Sequence, residues 1–465
     1  PFSRPAGSLN LRARQIQVAG TSFGDLALDL NFSDDQLQVT SAVLRNLKDR
    51  VDLSGSIRLP QKRLTDVRLT IAISDLAAYQ GPWLPAPAGI SGALQGRLQA
   101  AGDLMAPNAA ADLRAENFRF NDLHLETLTA KISSRGRLVQ IESAAAAIGS
   151  QQLQFAGDLR RNPTDTEFEL TLRKAALIRR GGTLLSLERD ASCRLFRSGR
   201  LDIAALALVG SAGRVSVNGR FEPDGVSNLL IRTTGLAGDG WLDLLVADRL
   251  QFQGLDARIQ FSGRPAAPSV AVAGTLDNLG SPAVPMAFSG RFNIEYTHKV
   301  LKIRQFDWQG QPGQEVALSG ALPLDFSGKN LFGDGQIALT GRTRIKDAGA
   351  LGFLVPWAAG TGGSIQGDFK LDGTWHHPTG RLQLAVADLK RPAGIRPLPP
   401  GPYTLDGEIR LDGDRLTLER LEASSAGWRI QAKGRWSGAP SLPEMVDPAA
   451  LKPSGRIDLE GALAV

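Results

Sequence analysis

Along the chain, apolar residues recur at every second position in short runs: "VDLSGSI" (51–57), "RLQLAV" (381–386), "TLDGEIRL" (404–411) and "RLTLERL" (415–421). Successive side chains of an extended strand point to opposite faces, so this spacing turns one face inward and leaves the other in solvent. Gly, Asn, Asp and Pro cluster between the runs, and these are turn residues. Helical periodicity is nearly absent. The pattern predicts an all-β chain whose strands pack on one side only.

The alternation also repeats. Five strands share the order apolar-x-apolar-x-Gly-x-apolar, with Gly55, Gly157, Gly219, Gly320 and Gly434 at the fifth position. Each is preceded at 18 or 19 residues by a strand start, at Leu37, Leu138, Leu201, Val300 or Leu301, and Leu416. The glycine stands where a side chain of that face is expected, which predicts a bulge or a close backbone approach at a bend.

A second element recurs three times as Gly, four residues, Pro: "GDLMAP" (102–107), "GRPAAP" (263–268) and "GTWHHP" (373–378). An Asp lies 32, 29 or 31 residues before each Pro, opening "SDLAAYQGPWL" (74–84), "GDGWLDLLV" (238–246) and "KDAGALGFLVPW" (346–357). Asp is a good helix N-cap, so one or two helical turns are expected there. Trp83, Trp241 and Trp357 recur in or beside these segments, as anchors for packing a helix on a sheet edge. Regular repetition of this kind predicts modules. Residues 1–74 read as the end of one β module, followed by modules at 75–238, 239–346 and 347–465.

Composition narrows the picture. A chain of 465 residues exceeds one ordinary core. Gly is abundant at 51 and aromatics are scarce at 6%, so Leu, Val, Ile and Ala carry the apolar fraction. A net charge of +6 spread over this length is compatible with anionic membranes and falls short of a nucleic-acid footprint. Cys193 alone excludes an internal disulfide and a Cys-rich metal site. No apolar run is long enough to span a bilayer as a helix. The opening residues read as mid-chain, so the expectation is an internal segment with any membrane anchor outside it.

Candidate chemistry is thin. His376 and His377 occupy positions held by Met105–Ala106 and Ala266–Ala267 in the other Gly-x4-Pro copies. Neighbouring residues on a strand point apart, so the turn reading outweighs a metal site. "GTGGSIQG" (360–367) lacks the Lys-Ser/Thr of a phosphate loop and precedes a strand. Asp34–Asp35 and Asp412–Asp414 sit at hairpin turns, where Asp is standard. No Gly-x-Ser-x-Gly elbow occurs. No catalytic residue, cofactor or metal ligand is expected. The stretch 173–200 carries eight Arg or Lys against two acids. It reads as a solvated strand face, with a patch for lipid headgroups as the alternative.

The segments "SDLAAYQGPWL…ISGALQGRLQAAGDLMAPNAAADLRAENFRF" (74–120), "GRLVQIES" and "LQFAGDL" resemble the repeated modules of the AsmA/TamB superfamily. The stretch "GGSIQGDFKLDGTWHHPTGRLQLAVADL" through "DRLTLERLEASSAGWRIQAKGRW" looks like the same module again. The resemblance covers most of the chain. It implies a mostly antiparallel sheet curled into a U-shaped groove, a β-taco, in a protein anchored in the inner membrane of a Gram-negative bacterium. It further implies a periplasmic conduit for phospholipids bound for the outer membrane, and a BamA-like outer-membrane partner. The groove-lining candidates are Leu153, Phe155, Leu159, Val215, Val217, Val316, Leu318, Leu322, Leu382, Leu384 and Val386. An ordinary closed core would use the same residues. A β-solenoid with a filled core, and a periplasmic chaperone that offers a strand edge, are the other readings.

Overall fold

The computed structural model describes residues 6–18, 21–33, 35–79, 90–120, 123–162, 166–238, 251–281, 284–310, 312–326, 331–333, 335–348, 362–390, 402–437 and 456–464. Contacts divide the chain into two units, Pro1–Ser211 and Ala212–Val465.

The first unit opens with β1 (Gly7–Val18), β2 (Thr21–Ser33), β3 (Gln36–Asn46), β4 (Asp49–Arg58) and β5 (Arg63–Ile73). It continues with β6 (Ile90–Asp103), β7 (Ala106–Phe120), β8 (Leu123–Arg135), β9 (Leu138–Ile148) and β10 (Gln151–Arg161). It closes with β11 (Glu167–Arg179), β12 (Gly182–Leu187), β13 (Ala191–Phe196) and β14 (Leu201–Gly210). Each strand runs antiparallel to its neighbour, and β12 and β13 share one strand position between β11 and β14.

The second unit holds β15 (Gly213–Phe221), β16 (Ser227–Thr234), β17 (Gly254–Arg264), β18 (Ala267–Ser281) and β19 (Val284–Thr297). Then come β20 (Val300–Gln309), β21 (Glu315–Pro323), β22 (Ile337–Ile345), β23 (Gly362–Gly373) and β24 (Pro378–Lys390). The last are β25 (Tyr403–Asp412), β26 (Arg415–Ser425), β27 (Trp428–Ser437) and β28 (Arg456–Ala464). The all-β sheet of antiparallel hairpins expected from the alternation is what forms.

The repeated glycine marks a bulge. Gly55, Gly157, Gly320 and Gly434 face Val39, Ile141, Ile303 and Leu418 on the strand before. Directly after each of those residues the preceding strand carries one residue too many. Thr40–Ser41 oppose Ser54 alone, Glu142–Ser143 oppose Ala156, and Glu419–Arg420 oppose Lys433. Arg304–Gln305–Phe306 oppose Leu318–Ser319 in the same way. An extra residue bends and twists its strand, which drives the next backbone toward the glycine. A Cβ on Gly320 would lie 1.9 Å from the Ala338 carbonyl oxygen, and its φ of +141° is one that residues with a Cβ rarely adopt. Gly219 likewise approaches a carbonyl, that of Asn228, at a φ of +121°.

The Gly-x4-Pro motif is a hairpin in all three copies. Gly102 pairs with Pro107, Gly263 with Pro268 and Gly373 with Pro378, directly across the turn. The glycines have nearly the same φ, +97°, +91° and +93°. Pro stands first or second in the returning strand, where its missing N–H is tolerated. In the third copy Thr374 Oγ1 accepts the His377 N–H at 3.0 Å, while His376 and His377 project into solvent.

Of the three short helical segments, the first is a 3-10 turn at Leu76–Tyr79. Asp75 caps it, accepting the N–H of Ala77 at 3.0 Å. Tyr79 donates to Asp49 Oδ2 at 2.7 Å, Ser74 N–H donates to Asp49 Oδ1 at 2.7 Å, and the Tyr79 ring tilts against Phe23. Burial pulls the Asp49 carboxyl upward, but the bonds from Ser74 and Tyr79 outweigh it and hold it below its ordinary value. Burial first, and then Asp49, push the Tyr79 phenol up to about 12. Most of 238–246 and 346–357, together with Trp83, Trp241 and Trp357, lies outside the described residues.

An uncovered apolar face as the candidate binding surface

Register turns the alternation of single strands into rows that cross each sheet. In the second unit one row runs through Val217, Ile231, Ile259, Val272, Ile294, Ile303, Gly320, Leu339, Leu371, Gly380, Leu411, Leu416 and Trp436. The first unit has its counterpart in Leu28, Ala42, Leu53, Leu69, Leu98, Ala111, Ile132, Ile141, Gly157 and Leu172. Neither row holds a charged or hydrogen-bonding side chain other than the Trp436 indole. Parallel rows lie on either side, such as Ile345, Ile365, Val386, Leu405, Ala423 and Ile430.

Of the eleven lining candidates, Val217 and Val386 stand on the rows named, and the other nine lie beside them on the same strands or strand faces. Leu153 sits between Ala146 and Leu177, Phe155 between Ala144 and Ala175, and Leu159 between Val139 and Leu170. Val215 faces Thr233, and Val217 faces Ile231. Val316 stands between Trp308 and Thr343, Leu318 faces Gly341, and Leu322 faces Leu301. Leu382 lies between Phe369 and Ile409, Leu384 between Gly367 and Gly407, and Val386 between Ile365 and Leu405. Reading by runs missed Leu28, Leu53, Leu69, Leu98, Ile259 and Val272, whose alternation was there to find. It also missed Ala144 and Ala146, because "SAAAAI" (143–148) offers no contrast between faces.

Few of these side chains are covered. Substantial contacts among the described elements run only between strands paired in the sheet, and from the 3-10 turn to β2 and β6. Ile345, Ile303 and Val386 are buried at 1%, 6% and 8%, but Leu153 and Phe155 remain 39% and 37% exposed. Most of the row residues are half-buried, shielded by lateral neighbours alone. Cys193 lies on the same face between Leu170 and Ile203, and burial pushes its thiol up.

The opposite face is saturated with charge. Arg381 bonds Glu408 at 2.6 Å, Arg342 bonds Asp368 at 2.9 Å, and Arg420 bonds Asp406 at 2.8 Å. Arg12–Asp29 and Arg173–Asp158 do the same in the first unit. The Arg381 hydrogen bond holds the Glu408 carboxyl below its usual value, and Arg304 does so for Glu295. A dent of about 630 Å³ opens on this polar face at the β20 bulge, among Arg304, Asp307, Glu315, Arg342, Asp368 and Arg381. Its arginines are committed to Glu295, Asp368 and Glu408.

The cations of 173–200 do not gather. Arg173, Arg194 and Arg200 pair with Asp158, Glu167 and Asp202. Arg180 and Arg197 stand in different turns, and Arg189 lies between β12 and β13. Among the described residues no three His, Cys, Asp or Glu side chains converge as a metal site. What each unit offers chemically is an aliphatic strip backed by a water-facing charged surface. No protein-family model matches the chain, and no curated protein matches it.

Proposed function

We propose that the chain is a section of a periplasmic lipid conduit in a Gram-negative bacterium, carrying phospholipids between inner and outer membranes. The observation that carries this reading is the apolar row in each unit, most of whose side chains stay part-exposed. Exposed aliphatic surface costs on the order of 25 cal/mol per Å², so a soluble partner or ligand has reason to cover it. Acyl chains suit a lining of Leu, Ile, Val and Ala, because they ask for no hydrogen bonds, and their headgroups stay in water. The protein's part is passive shielding rather than catalysis. An inner-membrane anchor outside this segment and a BamA-like partner complete the proposal, and both rest on the AsmA/TamB resemblance.

The test is mass spectrometry of lipids extracted from the chain after detergent-free purification from a bacterial periplasm. Phospholipid should co-purify with it, and Phe155→Asp and Leu384→Asp should each cut the yield several-fold while circular dichroism stays that of a β protein. A folded chain free of lipid sinks the proposal. A filled solenoid or a strand-edge chaperone would then explain the fold better.

A further inference from the structure

One edge of the first unit has features that folding does not require. Its turns are tied together by backbone bonds: Leu59 N–H donates to the Asp35 carbonyl at 2.8 Å, and Leu104 N–H to the Lys62 carbonyl at 2.8 Å. On the ridge so formed stand three large apolar side chains, Leu59, Leu104 and Met105, exposed at 56%, 42% and 73%. They lie at turns, beyond the rows that shield other leucines.

Three cations flank them. Arg58, Lys62 and Arg63 are exposed. Cations on neighbouring strands are engaged, as in Arg12–Asp29, Arg50–Asp52, Arg68–Asp66 and Arg114–Glu116. Arg58 and Arg63 face each other in direct register, a like-charge pairing that weakens a sheet, while Asp103 stands across from Arg63 on its other side. Asp103 also accepts the Met105 N–H at 2.7 Å and so serves the turn, and Asp35 is exposed. A ridge that spends stability on facing arginines and wets a methionine is built for something outside the fold.

We propose that this ridge, the β4–β5 and β6–β7 turns together, docks on the surface of an anionic lipid bilayer. Leu59, Leu104 and Met105 enter the boundary between headgroups and acyl chains, and Arg58, Lys62 and Arg63 lie among the phosphates. Neither element suffices alone, since a few exposed leucines bind weakly and a few exposed cations bind any polyanion. Their combination selects a surface that is apolar within and negative at its boundary. The proposal stands without the conduit reading, because the ridge lies at the turns and the rows lie on the sheet face.

The experiment is co-sedimentation of the whole chain with sucrose-loaded vesicles, one set of phosphatidylglycerol and phosphatidylethanolamine, one of phosphatidylcholine. The chain should pellet with the anionic vesicles and stay in solution with the zwitterionic ones. Replacing Arg58, Lys62 and Arg63 together by Gln should weaken binding about 100-fold, at about 1 kcal/mol per charge near the surface. Leu104→Ser combined with Met105→Ser should also lose most of the binding, and all five side chains are exposed, so these variants fold. Val226→Ser, at an exposed apolar side chain in the β15–β16 turn, should leave vesicle binding unchanged. Equal binding to both vesicle types, or full binding by the Gln variant, overturns the proposal. So does loss of binding in Val226→Ser. If no vesicle binds, the ridge is left to an acidic protein partner and the proposal is wrong.

Discussion

Asp49 shows how one buried carboxylate fixes a connection. It takes hydrogen bonds from Ser74 and Tyr79, on the far side of β5, and so seats the 3-10 turn against the strands. Its folded value lies below that of an unfolded Asp, near 3.9. The contribution is therefore complete at neutral pH and is lost as pH falls below about 4 and through the folded value. Asp49→Asn should cost about 1–2 kcal/mol at pH 7. It should also flatten the acid limb of a stability-against-pH curve from denaturant midpoints. An unchanged acid limb would mean that Asp49 is no partner of Tyr79 in solution. The cap itself was legible, since Asp75 heads a run that could only be a short helix. The Asp49 contact was not, because 30 residues separate it from Tyr79 and nothing local marks the pair.

At the scale of the element, the glycine and the bulge form one device split over two strands. The sequence shows the glycine, because it interrupts an alternation. The extra residue in the preceding strand is invisible there: Thr40–Ser41 and Glu142–Ser143 look like ordinary polar positions until register is known. That is why the glycine and a bend could be read, while the residues that make the bulge could not. The Gly-x4-Pro hairpin was legible to the residue, for its two ends are direct cross-strand partners. Gly320→Val should cost about 2–4 kcal/mol, from the strained φ and the collision with the Ala338 carbonyl. Gly333→Val, in the loop after β21, has ordinary contacts and should cost far less. Denaturant midpoints of the two variants check this, and equal shifts would remove the bulge from the explanation.

For the molecule as a whole, the substantial contacts among the described elements run between paired strands, so stability is close to a sum of neighbouring terms. Thermal unfolding should accordingly be broad, with a van't Hoff enthalpy well below the calorimetric one. A single sharp transition with equal enthalpies would show coupling that paired strands alone do not supply. The all-β class was legible at this scale because every strand repeats the same contrast of faces. Whether those faces are covered was not, since Leu153 reads alike in a closed core and on an open sheet.

The rows carry a consequence for how such a protein changes over generations. A hairpin reverses direction twice, so adding or deleting one leaves every later strand pointing the same way and every row still in phase. Each hairpin then amounts to an increment of about 10 Å along the sheet, two strand spacings of about 4.8 Å. A globular core resists such edits, because its parts meet from all sides. Here reach is a number that gene duplication can raise or lower by whole steps, with no residue elsewhere needing to change.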